Sequence, residues 1–469
     1  MTKPHSSQSD LGLIGLDPIG RNVALRLTEH HINIAACHGA EPTPAILEQS
    51  LPRVCMAGNV SQLLAKLRQP RTILVFGGAE APMDRVMDQL LPELKQEDLV
   101  MAAGDSYFED TAHYGRRLED RSIQFMGLAL SGGEREARHG AIVMAGGPPE
   151  ACARTRPWLE NLAVNICGEP CVSYFASAPA AHFVKMVHSG VECSLLQLLS
   201  EIFGVVQRTL RLTEAELHGA PGPWLLDVLK MYVMEISNNL FDLSPHPMLE
   251  DNLMAARNRA LGKWFTLMAE ELETSIPTIE AAVRTRRAVS IDRRPALLAA
   301  PARWPMGRFG DDPENMLREL HRAFHAAMII TYAQGMSLLS AASKHLGFRF
   351  NLSQISRAWR GGTDLRVKLL EDIATAFETT PNLSDLLSDD DFSEQVMSCQ
   401  EDLRRFVWRA IEHNLAAPAL LASLEYLDCN KAAWLPANLI QPSPIGRCRW
   451  RTLGQAGSNA RYSRKVARY

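Results

Sequence analysis

A lysine, a histidine and a glutamate stand at Lys185, His188 and Glu192 within the run HFVKMVHSGVE, His182 to Glu192. If the run is helical, this spacing puts all three on one stripe, spanning about 10 Å at a rise of 1.5 Å per residue. A base and an acid can then flank one small substrate. The apolar neighbours Phe183, Val184, Met186 and Val187 would desolvate the lysine. Desolvation favours the neutral amine that a general base needs near neutral pH. The same spacing also describes an amphipathic helix with solvated charges, so spacing alone leaves both readings open. Two glycine-bearing turns are further candidates. In Gly15-Leu16-Asp17-Pro18-Ile19-Gly20 the glycines fall where a dinucleotide-binding turn needs a tight bend and close helix packing. In Ser131-Gly132-Gly133 they would let backbone N–H groups approach an anion, though an ordinary turn has the same composition.

These groups need elements to position them. From Leu11 to about Gly168, short β-rich runs (LGLIGL, INIAAC, RTILVF, DLVMAA, IQFMGLAL, AIVMAGG) alternate with helical stretches. That rhythm predicts a mostly parallel, doubly wound α/β sheet. After Ala178 the pattern changes to long amphipathic segments, the first from His182 to Leu210, with Pro179 placed where such a helix can begin. Residues 213–435 keep three- and four-residue apolar spacing, which predicts a large all-α region. The expected organisation is a dinucleotide-binding domain over 1–178, an all-helical substrate and dimerisation domain over 179–434, and a basic tail over 435–469. The chain of 469 residues is long enough for several such regions. A net charge of -4 gives no reason to expect nucleic acid as a partner. Nine cysteines, an odd number scattered from Cys37 to Cys448, suit a reducing compartment, and no metal site is expected. Neither a signal peptide nor a membrane span is read, so a soluble cytoplasmic protein is expected.

Taken in order, the glycine turn, SGGE at Ser131 to Glu134, HFVKMVHSGVE, GKW at Gly262 to Trp264, YAQG at Tyr332 to Gly335, WRGG at Trp359 to Gly362 and LPANLIQ at Leu435 to Gln441 form a set. Together they resemble the 6-phosphogluconate dehydrogenase family from about residue 11 to 441. The resemblance implies a Rossmann-like coenzyme domain, a helical domain, a homodimer, and a tail reaching into the partner's active site. It implies a reaction of the pentose phosphate pathway and gluconate utilisation. NADP takes hydride from carbon 3 of 6-phosphogluconate, carbon dioxide leaves, and the enediol is protonated to ribulose 5-phosphate. It assigns Lys185 as base, Glu192 as acid, and Ser131, Gly132, Gly133, His188, Ser189, Arg259 and Arg286 to the sugar acid. Gly15, Gly20 and Asp105 fall to the coenzyme.

The chain departs from the family's pattern at ligand contacts. Asp17 stands where the family has a small residue, adding bulk and like charge beside a diphosphate; Arg21, one turn on, would pair with it. His38-Gly39-Ala40 replaces the family's Asn-Arg-Thr, whose arginine holds the 2′-phosphate of NADP, which leaves NAD and NADP both open. Gly78 replaces a lysine, and Asp105 an asparagine that contacts nicotinamide and substrate. Ser189 and Cys193 replace asparagine and tyrosine, Arg259 a lysine, and Leu261 a threonine, while Arg286 matches the family's phosphate-binding arginine. Pro444 and Trp450 fall near the arginine and histidine that the partner subunit contributes, and Arg447, Arg449 and Arg451 would supply replacement charge. Two expectations follow: an NAD(P)-dependent oxidative decarboxylase of 6-phosphogluconate or a related sugar acid, or a noncatalytic homologue that binds or regulates.

Overall fold

The computed structural model describes residues 8–39, 51, 53–77, 82–104, 106–210, 262, 264–289, 313–361 and 364–432. Among the described residues ten strands come first: β1 (Leu11–Ile14), β2 (Ile34–Cys37), β3 (Cys55–Met56), β4 (Thr72–Phe76), β5 (Leu99–Ala103), β6 (Gln124–Ser131), β7 (Ile142–Gly146), β8 (Asn165–Ile166), β9 (Glu169–Pro170) and β10 (Val172–Phe175). Between and beside them lie α1 (Pro18–Glu29), α2 (Val60–Ala65), α3 (Met83–Leu90), α4 (Phe108–Glu119), α5 (Glu134–His139) and α6 (Pro149–Leu162). Then follow α7 (Ala178–Leu210), α8 (Pro277–Val289), α9 (Pro313–His345), α10 (Leu352–Ala358), α11 (Asp364–Thr379), α12 (Asp390–Glu412) and α13 (Pro418–Lys431).

The main sheet runs β10-β7-β6-β5-β4-β1-β2-β3, parallel except between β6 and β7. Its central strands are buried throughout and almost wholly apolar because both faces are covered. Leu11 and Leu13 of β1 pack with Val23 and Leu27 of α1 on one face. Ile14, Ile73 and Val75 pack with Leu63, Val86 and Leu90 on the other. Successive strands proceed outward in opposite directions from β1 and β4, so the crevice of a doubly wound sheet opens beyond the end of β1. The expected strands are all present. β10 lies beyond the last one read from sequence: four residues, VSYF, with Ser and Tyr among them, give too short an alternation to stand out. The long helix starts at Ala178, earlier than the run from His182, with Pro179 in its first turn.

α7 lies against β6 and β7 on one side and α8 and α9 on the other. Close approach explains two of its glycine contacts. A Cβ on Gly190 would lie 2.7 Å from Phe265, and one on Gly335 of α9 would lie 2.6 Å from Val191. The chain divides into two compact units, Met1–Leu424 and Glu425–Tyr469. Of the second unit, only the end of α13 and the residue after it are described. Among the described residues no helix is long and apolar enough to cross a membrane, and no group of His, Cys, Asp and Glu could hold a metal ion.

Glu201, on the far part of α7, is buried and accepts from the N–H groups of Ala419 at 2.9 Å and Leu420 at 3.0 Å, at the start of α13. Burial pushes its carboxyl pKa up, against these bonds and that of Gln197. A raised folded-state value means that, above the ordinary value of about 4.3, the folded chain holds a proton which the unfolded chain has lost. Its contribution to stability is therefore present at lower pH and falls as pH rises through the folded value. Denaturant titrations of parent and Glu201→Gln should show parent stability declining relative to the variant from pH 5 toward neutrality. A constant difference would mean the group does not titrate in that range.

Candidate functional site

The C-terminal end of β6 presents Ser131 to the face of α7 that carries the stripe. Lys185 Nζ donates to Ser131 Oγ at 3.0 Å, and His188 Nδ1 lies 3.1 Å from the same oxygen. Glu192 Oε2 is 3.5 Å from Ser131 Oγ and 3.6 Å from His188 Nδ1. Three residues at helical spacing therefore converge on one hydroxyl. Ser131 has a single proton to give, so with Lys185 donating to it, it can donate to His188 or to Glu192 but not to both. Lys185, His188 and Ser131 are 8%, 3% and 3% exposed, whereas the Glu192 side chain is 33% exposed. The cluster thus has a buried floor and one carboxylate at its rim. A base and an acid held in this way can take a proton from a bound hydroxyl and return one to carbon or oxygen.

Three supports of the cluster were not assigned a role by sequence. Trp359, 2% exposed, stands edge-on to the His188 ring with centroids 4.9 Å apart and the planes at 70°. The adjacent Arg360 is tied to Glu371 at 2.8 Å, to Glu169 at 2.5 Å and to the Arg357 carbonyl at 2.9 Å, which holds the segment in place. His182, one turn before Lys185, lies 2.9 Å from Thr111 Oγ1 and anchors α7 to α4. Ser189 is half-buried on α7. Arg286 on α8 is close enough for its charge to act on Cys193, beside Glu192, where it opposes the rise in thiol pKa that burial causes.

The Ser131 loop differs in one respect from the sequence expectation. Gly132 has φ +120°, and a Cβ there would lie 2.3 Å from Glu136 Cβ, so the turn requires glycine. The N–H of Gly133, however, already donates to Glu136 Oε2 at 2.7 Å. A carboxylate three residues after the cap takes that donor, as in a capping box, so it is not simply open to a ligand. The glutamate at that offset was a sequence signal for this bond.

At the end of β1, Gly15 (φ +94°) lies so near β4 that a Cβ would sit 2.4 Å from the Phe76 carbonyl oxygen. A Cβ on Gly20 would sit 2.2 Å from the Gly15 oxygen. The bend fits a dinucleotide-binding turn. Asp17 is the N-cap of α1, and its Oδ1 accepts from the Gly20 N–H at 2.7 Å. The expected Asp17–Arg21 pair does not form among the described residues; the cap fixes the carboxylate toward the helix start instead, and Arg21 Nε is buried with no hydrogen-bond partner there. The seat for a diphosphate therefore fits only if Asp17 moves. Gly39 follows β2 without a charge to offer. Ala40, Gly78, Asp105, Arg259, Leu261, Gly362 and the tail with Pro444, Arg447, Arg449, Trp450 and Arg451 lie outside the described residues.

The family profile described as the NAD binding domain of 6-phosphogluconate dehydrogenase matches residues 10–174, and that described as the 6-phosphogluconate dehydrogenase C-terminal domain matches residues 181–443. A decarboxylating 6-phosphogluconate dehydrogenase of Synechococcus elongatus is 33% identical over 443 residues, 92% of this chain and 93% of the relative. An NADP(+)-dependent, decarboxylating 6-phosphogluconate dehydrogenase of Bacillus subtilis is 31% identical over 445 residues, 93% of this chain and 94% of the relative. Among solved structures, that of the Plasmodium falciparum 6-phosphogluconate dehydrogenase has a similar fold, with a TM-score of 0.79 at 24% identity, covering 97% of this chain and 98% of that one.

Proposed function

The chain belongs to the 6-phosphogluconate dehydrogenase family, and from that premise we propose that it oxidises and decarboxylates 6-phosphogluconate or a related sugar acid, with NAD or NADP. The observation that carries this reading is the convergence of Lys185, His188 and Glu192 on a buried Ser131. The coenzyme, when bound, supplies the hydride acceptor. Lys185 takes the proton from the substrate hydroxyl being oxidised, because its amine is already held at the cluster by Ser131. Glu192, at the rim, returns a proton to the enediol after carbon dioxide leaves. Ser131 and His188 orient the acid, and Ser189 and Arg286 complete its surroundings from α7 and α8. The glycine turn at Gly15 and Gly20 receives the coenzyme. A homodimer is supported by Trp408 and Ile411, three residues apart on α12 and 61% and 65% exposed, an apolar face that a second copy would cover.

A turnover assay tests the reading: purified protein, NAD and NADP, and a panel of phosphorylated and free aldonic acids, with reduced coenzyme and carbon dioxide measured together. Equal yields of the two support it. No turnover with any acid would leave the noncatalytic reading in its place. The coenzyme preference is a separate prediction. Without an arginine at position 39, NAD should bind no worse than NADP. Gly39→Arg should favour NADP over NAD by about tenfold or more, the effect of one charge-assisted bond to the 2′-phosphate. A parent protein with clear preference for NADP would contradict this reading of β2.

A further inference from the structure

A doubly wound turn holds a dinucleotide's diphosphate on N–H groups at the start of its first helix, where the helix dipole also favours negative charge. In this chain that start is short of donors. Pro18, at the first helical position, has no N–H. The N–H of Gly20 is given to Asp17 Oδ1 at 2.7 Å. Of the first three helical residues, this leaves Ile19 as the other donor. The anion that the helix start attracts is supplied by the chain itself, in a segment that matches an NAD-binding family profile. One turn on, Arg21 keeps a buried Nε–H without a hydrogen-bond partner among the described residues. A buried guanidinium N–H without an acceptor is costly, and residues at i and i+4 on a helix are neighbours. A carboxylate that left Gly20 would therefore find a partner in Arg21.

We propose that Asp17 sets the affinity of the nucleotide site for diphosphates: its carboxylate occupies the place of the coenzyme's diphosphate, and a dinucleotide binds by displacing it from Gly20 toward Arg21. The proposal rests on the coenzyme reading above and deepens it. The penalty attaches to the diphosphate and not to the bases. It falls on NAD, NADP and ADP alike, and leaves an unphosphorylated nucleoside untouched. Arg21 acts on affinity only through Asp17.

Calorimetric titration of the full-length protein with NAD, NADP, ADP and adenosine tests this in the parent and in Asp17→Gly, Asp17→Asn, Arg21→Gln and Asp17→Gly/Arg21→Gln. Glycine is tolerated at an N-cap, so Asp17→Gly should stay folded, and Asn keeps the cap without the charge. Asp17→Gly should tighten all three diphosphates by about ten- to a hundredfold, with adenosine changed by less than about twofold. Asp17→Asn should move in the same direction by less. Arg21→Gln should weaken the diphosphates in the parent and have no effect once Asp17 is glycine. If the parent binds NAD and neither Asp17 variant binds it more tightly, the proposal is wrong while the coenzyme reading stands. Equal tightening of adenosine would overturn it too, since Asp17 would then act through the shape of the turn. Failure of every variant to bind any nucleotide would sink both.

Discussion

Lys185→Ala should lower kcat by about 10²- to 10⁴-fold, the usual contribution of a positioned general base, while the protein stays folded. The argument starts from the geometry: Nζ is 3.0 Å from Ser131 Oγ, and the residue is 8% exposed. Ser131 is its one hydrogen-bond partner among the described residues, so truncation removes one donor from Ser131 and leaves His188 as that hydroxyl's nearer neighbour. Lys185→Arg distinguishes proton transfer from charge. Arginine keeps the positive charge but does not release its proton, so it should be nearly as inactive as alanine. Steady-state kinetics alongside thermal unfolding decides the matter. Retained turnover in the alanine variant would remove Lys185 from the mechanism, and recovery in the arginine variant would make it an electrostatic anchor.

Trp359→Ala should cost about 3–5 kcal/mol of stability, as for other large buried aromatics. Its indole fills the space beside His188 with centroids 4.9 Å apart, and the neighbouring Arg360 ties the segment to Glu169 and Glu371, so collapse around the cavity is restricted. The ring also limits how His188 can turn. Losing it should broaden the orientation of the imidazole and depress kcat in addition to stability. Trp359→Phe keeps an aromatic edge and should do much less of both. Denaturant unfolding measures the first effect, and the kcat of whatever fraction remains folded measures the second. If phenylalanine and alanine lower kcat equally at matched folded fraction, the contact with His188 is packing alone.

Much of the fold was legible because backbone geometry leaves its mark over a few residues. Runs such as TILVF and LVMAA are apolar without alternation since parallel strands are covered on both faces, and the chain places them at the sheet's centre. β10 left no such mark: β1 and β2 are as short but apolar, whereas VSYF mixes Ser and Tyr with its apolar residues over too few positions to show a period. Some of the motifs behind the resemblance turn out to be packing marks. Gly262 lies against Val283, and Gly335 against Val191, with no room for a side chain. The site was legible in part. His188 and Glu192 were read as neighbours on a stripe. Glu136, whose carboxylate takes the Gly133 N–H, and Trp359, which walls His188, were not given roles.

The sequence by itself determined that Lys185, His188 and Glu192 share a helical stripe, that Gly15 and Gly20 shape a tight turn at the end of a strand, and that sheet precedes helices. These follow from periodicities of two and 3.6 residues and from the lack of a Cβ, which act locally. Only the tertiary structure decided that the stripe meets Ser131, from a strand 54 residues before Lys185, and that Trp359 arrives from far later in the chain to wall His188. It also decided that Asp17 turns its carboxylate to Gly20 and not to Arg21. Spacing places side chains on a face; which atom a side chain then meets depends on packing between segments distant in sequence and on competition among donors for one acceptor, neither of which a local pattern records.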